Sequence, residues 1–207
     1  MNKKNNLGLD ISFINEDDPF VVFKQWMSEA EKNEINDPNA AALATVNESS
    51  QPDARMVLLK EYNNKGFVFF TNLNSKKGTD LKQTPKASMC FHWKSLLRQV
   101  RISGSISLIS EKEADNYFNS RPYESRIGAW ASDQSNVMKE RTDLLKKIEI
   151  FKKKYPSEKG VPRPKHWSGW CLNPTAIEFW LRLEYRIHER LRYNKVSNGW
   201  KKEILYP

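Results

Sequence analysis

A chain of 207 residues is long enough for one sizeable core, and its 12% aromatic content with seven tryptophans excludes a disordered polymer. Lysine and arginine outnumber aspartate and glutamate by 34 to 25, and the net charge of +9 favours anionic partners: nucleic acid, an anionic membrane surface or small phosphorylated ligands. Cys90 and Cys171 stand too far apart for a disulfide framework or zinc knuckle and are expected as reduced core residues, while the lack of a leader-like or bilayer-length apolar run makes the cytoplasm the expected compartment.

Residues 1–17 show no periodicity and are expected to form a mobile arm ahead of one domain spanning 18–207. Asp17 and Asp18 before Pro19 signal a helix start, and Phe20, Phe23, Trp26, Met27 and Ala30 follow at helical spacing. From Ala40 the runs "AAALATVN", "DARMVLLKEY" and "FVFFTNL", separated by "ESSQP" and "NNKG", predict three consecutive antiparallel strands. "SKKGTDLKQTP" predicts a short helix. "KASMCFHW" and "RQVRISGSISLIS" predict two further strands, the second alternating through Val100, Ile102 and Ile106. Ser110 and Glu113 have capping-box spacing and open a helix at "SEKEADNYF". "NVMKERTDLLKKIEIFKKKYP" predicts a long amphipathic helix stopped by Pro156. After the Pro-punctuated "SEKGVPRPKHW", strands return and end in a hairpin turning at Asn198-Gly199.

This order is an α+β pattern on an antiparallel sheet expected to close into a barrel. None of the eight glycines forms Gly-x-Gly, so Rossmann and P-loop fingerprints are absent and any phosphate must be held by side chains. The segment "IEFWLRLEYRIHERLRY", Ile177 to Tyr193, fits two geometries. On a helix Arg182, Arg186 and Arg190 form one stripe; on a strand Arg186, His188, Arg190 and Arg192 share a face. Its four aromatics, the Asn-Gly hairpin nearby and the missing cap favour the strand. A solvated outer face and a binding face both fit that charge pattern.

"EFW" and "RIHER", with "ARMVLLK", "TNLNSKKG", "RQVR", "YFNSRPYESRIGAWASDQS" and "HWSGW" in this order, resemble the pyridoxamine (pyridoxine) 5'-phosphate oxidase family from about Asp18 to Pro207. The resemblance implies an FMN-binding split β-barrel acting as a homodimer, with two flavin sites at the interface that each draw on both subunits. FMN would be held by Arg55, Met56, Val57, Leu58, Leu59 and Lys60, by Phe70, Thr71, Lys76 and Lys77, by Gln134 and Ser135, and by Gln99, Trp180 and Arg190. Several Arg and Lys donors with hydroxyls are what a phosphate near charge −2 requires. The substrate phosphate would meet Lys60, Tyr117, Arg121 and Ser125, and Arg186, Ile187 and His188 would face its pyridine ring, Arg186 and His188 as the catalytic pair. The implied reaction oxidises C4' of pyridoxamine or pyridoxine 5'-phosphate to pyridoxal 5'-phosphate, with dioxygen reduced to hydrogen peroxide. Neither nucleic acid nor membrane is an implied partner, and no metal is.

Plainer readings stand beside these. Lys76 and Lys77 by themselves read as solvated surface, Arg121 as a helix end before Pro122, and Tyr117 as core. His92 is expected as a packed strand histidine, Lys152 to Lys154 as a solvated helix end and His166 as structural. The chain departs from the family pattern in lacking an N-terminal Arg-x-Glu-Tyr segment, and in Phe70, Lys76, Leu181 and Glu189 where Tyr, Arg, Gln and Asp are common. The competing readings are a phenazine-pathway flavin oxidase and a non-catalytic barrel binding flavin or nucleic acid.

Overall fold

The computed structural model describes residues 15–157 and 160–207, so most of the expected N-terminal arm lies outside the described residues. Helix α1 (Pro19–Asn33) starts where Asp18 accepts a hydrogen bond from the Phe20 N–H at 2.9 Å, with Pro19 at its first position. It buries Val22, Phe23, Trp26, Met27 and Ala30. The Phe23 ring meets Tyr62, Phe67 and Phe91 with centroids 4.9–5.4 Å away, largely edge to face, which seats α1 against the sheet.

That sheet contains nine strands: β1 (Ala40–Val46), β2 (Pro52–Leu58), β3 (Glu61–Asn63), β4 (Gly66–Asn72), β5 (Lys86–Trp93), β6 (Arg98–Leu108), β7 (Trp167–Leu181), β8 (Glu189–Val196) and β9 (Gly199–Ile204). Its order is β2-β1-β5-β6-β7-β4-β3, with β8 on β7 and β9 on β8, and all pairings are antiparallel. The fold turns on β7. One of its edges pairs with β6 along most of its length; the other pairs with β4 up to Leu172 and with β8 from Ala176. Pro174, which has no N–H to donate, sits between the two partners, and the sheet splits there. This is the curled half-barrel of an antiparallel split β-barrel.

The three-strand meander expected from the sequence is corrected. β1 and β2 form a hairpin, but the run "DARMVLLKEY" breaks at Leu59-Lys60 into β2 and β3, and β4 pairs with β7 instead of β2. The Leu59 N–H donates to Asn39 O at 2.8 Å and the Lys60 N–H to Val68 O at 2.9 Å, so two successive residues bond to opposite ends of the sheet path. That local reversal draws the sheet into its curl.

Helix α2 (Lys76–Gln83) begins at Ser75, and α3 (Glu111–Ser120) carries the expected capping box between Ser110 and Glu113. Helix α4 (Tyr123–Ala131), not anticipated from the sequence, starts after Pro122. Helix α5 (Arg141–Lys154) is shorter than expected, with residues 136–140 outside it; Lys153 and Lys154 in its last turn are exposed, as expected, with Lys154 also over the Tyr155 ring at 5.1 Å. Phe118, Ile127, Val161 and Trp167 form a second apolar cluster below these helices. The final turn is Ser197-Asn198, with Gly199 (φ 101°) already opening β9. Cys90 and Cys171 are free but half-buried, short of the core expected for them. Among the described residues no helix is long and apolar enough to cross a membrane.

A bulge at Ser103/Gly104 brings β6 so close to β7 that a Cβ on Gly104 would lie 2.0 Å from Asn173 O. Gly104→Ala should therefore lower the thermal unfolding midpoint by about 5 °C, from a cost of about 2 kcal/mol. Gly128→Ala, inside α4 with open space around it, should hold or raise that midpoint. Calorimetry of both variants checks the pair.

Candidate functional site

A cleft of about 700 Å³ opens between β2, β4, α2, α3, α4 and the start of β7. Of the residues singled out in the sequence, it brings together Met56, Val57, Leu58, Lys60, Phe70, Thr71, Lys77, Tyr117, Arg121, Ser125 and Gln134. It also recruits Asn72, Ser132 and Trp167, to which the sequence reading gave no role.

At one end, the helix start at Ser75 turns Lys77 inward from the first turn of α2. Lys77 is only 9% exposed, and its Nζ donates to Thr71 Oγ1 at 3.3 Å and Gln134 Oε1 at 3.1 Å, both neutral. Burial first, then the nearby Arg55 charge, pulls its pKa below the ordinary lysine range. Asn72, through its Nδ2 bond to Ser132 O at 3.2 Å, ties this wall to the segment carrying Gln134.

Arg55 and Lys76 differ from it. Both are tied to carboxylates: Arg55 to Asp53 at 2.5 Å, and Lys76 to the buried Asp80 at 2.6 Å, which also accepts from Thr45 at 2.9 Å. Neither lines the cleft, nor do Leu59 and Ser135. The Arg55 guanidinium holds the Asp53 carboxyl below its usual value, chiefly by that hydrogen bond.

At the other end, Arg121 caps the C-terminus of α3 and lies with its guanidinium carbon 4.7 Å from the centroid of the Trp167 ring. One terminal nitrogen is buried with no hydrogen-bond partner, and burial lowers the group's pKa. Phe70, Tyr117 and Trp167 form a near-parallel stack, with Phe70 and Tyr117 centroids 3.9 Å apart. Tyr117 is thus a cleft wall as well as a core contact. Ser125, from the unanticipated α4, completes this end.

The remaining residues lie elsewhere. Register places Gln99, Trp180 and Arg190 side by side on β6, β7 and β8. Trp180 stands eleven residues along β7 from Gly169, the partner of Phe70, which is roughly 36 Å of strand. Arg186 and His188 are not on a strand, which corrects the shared-face expectation: β7 ends at Leu181, a 3₁₀ turn covers Glu184–Arg186, and β8 begins at Glu189. The turn holds Tyr185 and Arg186 at positive φ (55° and 63°) and leaves Arg186 and Ile187 exposed. The His188 ring packs 4.7 Å from Trp180, its Nδ1 accepting from the Leu183 N–H at 3.3 Å. Arg190 bonds Glu178 twice at 2.8 Å and Tyr206 O at 3.1 Å.

A second cleft of about 510 Å³ contains Gln99, Cys90 and His92 and shares Met56 with the first. His92 is exposed there, contrary to the packed histidine expected. His166 is structural, its Nε2 bonded to Ala129 O at 3.0 Å. Among the described residues no group of three or more His, Cys, Asp or Glu side chains is placed to hold a metal ion.

Comparison with known proteins gives this geometry a family. The family model "Pyridoxamine 5'-phosphate oxidase" matches residues 27–154, and "Pyridoxine 5'-phosphate oxidase C-terminal dimerisation region" matches residues 167–207. The chain is 61% identical over 208 residues to the pyridoxine/pyridoxamine 5'-phosphate oxidase of Pelagibacter ubique (strain HTCC1062), covering 100% of both chains. It is 49% identical over 194 residues to the protein of that name from Caulobacter vibrioides (strain NA1000 / CB15N), covering 94% of this chain and 87% of that one. Among solved structures, PhzG from Burkholderia lata 383, in complex with tetrahydrophenazine-1-carboxylic acid, superposes with a TM-score of 0.90 at 28% identity over 97% of this chain and 98% of the other. An FMN binding protein from Nostoc punctiforme PCC 73102 shares the fold, with a TM-score of 0.73 at 16% identity over 91% and 98% of the two chains. On the matched length and these identities, the chain belongs to the pyridoxamine 5'-phosphate oxidase family.

Proposed function

We propose that this chain is an FMN-dependent oxidase converting pyridoxamine or pyridoxine 5'-phosphate to pyridoxal 5'-phosphate, with dioxygen reduced to hydrogen peroxide. One observation carries the reading: two cations line a single cleft without a carboxylate partner, Lys77 buried and Arg121 half-buried. Lys77 has only neutral partners and Arg121 keeps a buried, unpaired donor. A buried charge without compensation is costly, and two bound anions would remove that cost. A flavin phosphate fits the Lys77 end, where Thr71 and Gln134 add polar partners, and the substrate phosphate fits Arg121, Tyr117, Ser125 and Lys60.

FMN, when bound, supplies the hydride acceptor for the substrate's C4' carbon and passes the electrons to dioxygen. The chain's own residues bind and orient. Cations at both ends of one cleft fix how far apart the two ligands sit, which is the positional component of such catalysis. Met56, Val57 and Leu58 give an apolar wall, and the Phe70–Tyr117–Trp167 stack closes the Arg121 end.

Arg186, His188, Gln99, Trp180 and Arg190 reach such a site only if a second copy presents them, because within one chain they do not line the cleft. Two features support that arrangement. The segment carrying four of the five matches a dimerisation region. The edge strand β2 exposes Met56 and Leu58 (62% and 40%) beside Ala40 and Ala42, an apolar edge suited to a symmetric contact. In this arrangement Arg186 orients the substrate ring electrostatically and His188 holds it by hydrogen bonding.

The test is spectroscopic. Purified protein should show a flavin band that bleaches when pyridoxine 5'-phosphate is added without oxygen, and should release peroxide from pyridoxamine 5'-phosphate in air. A colourless protein, or a flavin band indifferent to both vitamers, contradicts the reading and favours the phenazine-type alternative or a non-catalytic barrel. Arg121→Ala should raise KM for either phosphorylated vitamer by about 10–100-fold while FMN content stays near that of the wild type. Steady-state kinetics with an absorbance ratio for bound flavin measure both, and parallel loss of flavin would contradict the division of the cleft.

A further inference from the structure

The geometry points to Trp167, clamped by Arg163, as the positioning residue that holds Arg121 ready and so sets affinity for the phosphate end of the substrate; this deepens the functional reading above and rests on it. Arg121 differs from three other partly buried arginines here. Arg55 is paired with Asp53, Arg98 with Glu29 at 2.7 Å and Arg190 with Glu178 at 2.8 Å. Arg121 has no carboxylate, and what fixes it is the Trp167 face at 4.7 Å, with Phe118 at 5.7 Å. An ion pair would occupy N–H donors and neutralise the charge. An aromatic face holds the cation and leaves its in-plane donors free for a phosphate.

That platform is itself fixed. Trp167 is 6% exposed, and Arg163 donates to its carbonyl oxygen at 2.8 Å. The same guanidinium donates to Asp115 at 2.6 Å and to Glu111, successive-turn residues of the helix that Arg121 caps. Arg163 therefore joins the two elements whose relative position places the guanidinium over the ring. Pro162 and Pro164 flank it and restrict the backbone, and the Trp167 N–H donates to Pro164 O at 3.0 Å. Three directed bonds from one planar fork are beyond what a lysine can reproduce.

The experiment compares phosphorylated with unphosphorylated pyridoxine in the FMN-loaded enzyme. Trp167→Leu should raise KM for pyridoxine 5'-phosphate by about tenfold, with a much smaller change in kcat, and should lower the preference for the phosphorylated vitamer by the same factor. Trp167→Phe, which keeps a ring, should fall between. Arg163→Lys and Arg163→Gln should resemble each other, each raising KM by about threefold, because the fork matters more than the charge. Melting temperature and flavin absorbance are read on each variant, and the Phe and Lys variants carry the test if Trp167→Leu does not fold. Unchanged KM in the folded variants, equal loss for both vitamers, or loss of flavin instead would overturn the inference. If the wild type oxidises neither vitamer, the functional reading fails separately. Calorimetric binding of inorganic phosphate to the FMN-loaded protein then decides the role of Trp167, with equal affinity in wild type and Trp167→Phe counting against it.

Discussion

The cost of burying a positive charge with no negative one beside it shapes this molecule. The fold meets that cost in most places by supplying a carboxylate: Glu29 for Arg98, Glu178 for Arg190, and Glu111 with Asp115 for Arg163. In the main cleft it does not. Lys77 and Arg121 are held there by neutral oxygens and an aromatic face, arrangements that fix a cation in space without neutralising it. On the proposed function, such sites suit anions that arrive from outside. A net charge of +9 is consistent with that demand, but its location in two particular side chains is what gives it chemical meaning.

Strand β7 then decides how the cleft is completed. Its first residues pair with β4 and support Phe70 and Trp167; its last pair with β8 and lead into the turn carrying Arg186 and His188. One strand thus carries the main cleft near its start and the charged loop at its end. Two-fold symmetry would solve the separation by setting the end of one β7 against the beginning of another. The strained, exposed turn at Tyr185-Arg186 is a reasonable place for the resulting contact, since such backbone conformations need outside support.

The sequence made much of this legible, for identifiable reasons. Helical periodicity and an Asp-Asp-Pro start placed α1, a capping box placed α3, and alternation through Val100, Ile102 and Ile106 placed β6, because each signal is local. Motif order placed Lys77, Thr71, Gln134, Tyr117, Arg121 and Ser125 in one site, and they do share a cleft. What failed depends on distant contacts. "DARMVLLKEY" reads as one strand because nothing within it shows that Leu59 and Lys60 bond to different sheet ends. "RLEYRIHER" alternates like a strand, yet two residues at positive φ make it a turn. Trp167 was visible only as part of "HWSGW"; its contact with Arg121 joins residues 46 positions apart, as does no local pattern. His92 was read as packed because no ligand partner stands near it in the sequence, which says nothing of which strand face stays open.

The central claim, that each working cleft takes its anion-holding cations from one copy of the chain and its Arg186 turn from another, is tested most directly by subunit complementation. Lys77→Met and Arg186→Ala chains, each inactive alone, are co-expressed so that mixed dimers form, and oxidation of pyridoxine 5'-phosphate is measured. If the site is shared, a mixed dimer contains one cleft with both Lys77 and Arg186 intact, and the population should recover about a quarter of wild-type activity. If both residues serve the same chain's site, every cleft stays damaged, and a mixture no more active than its parents would contradict the account.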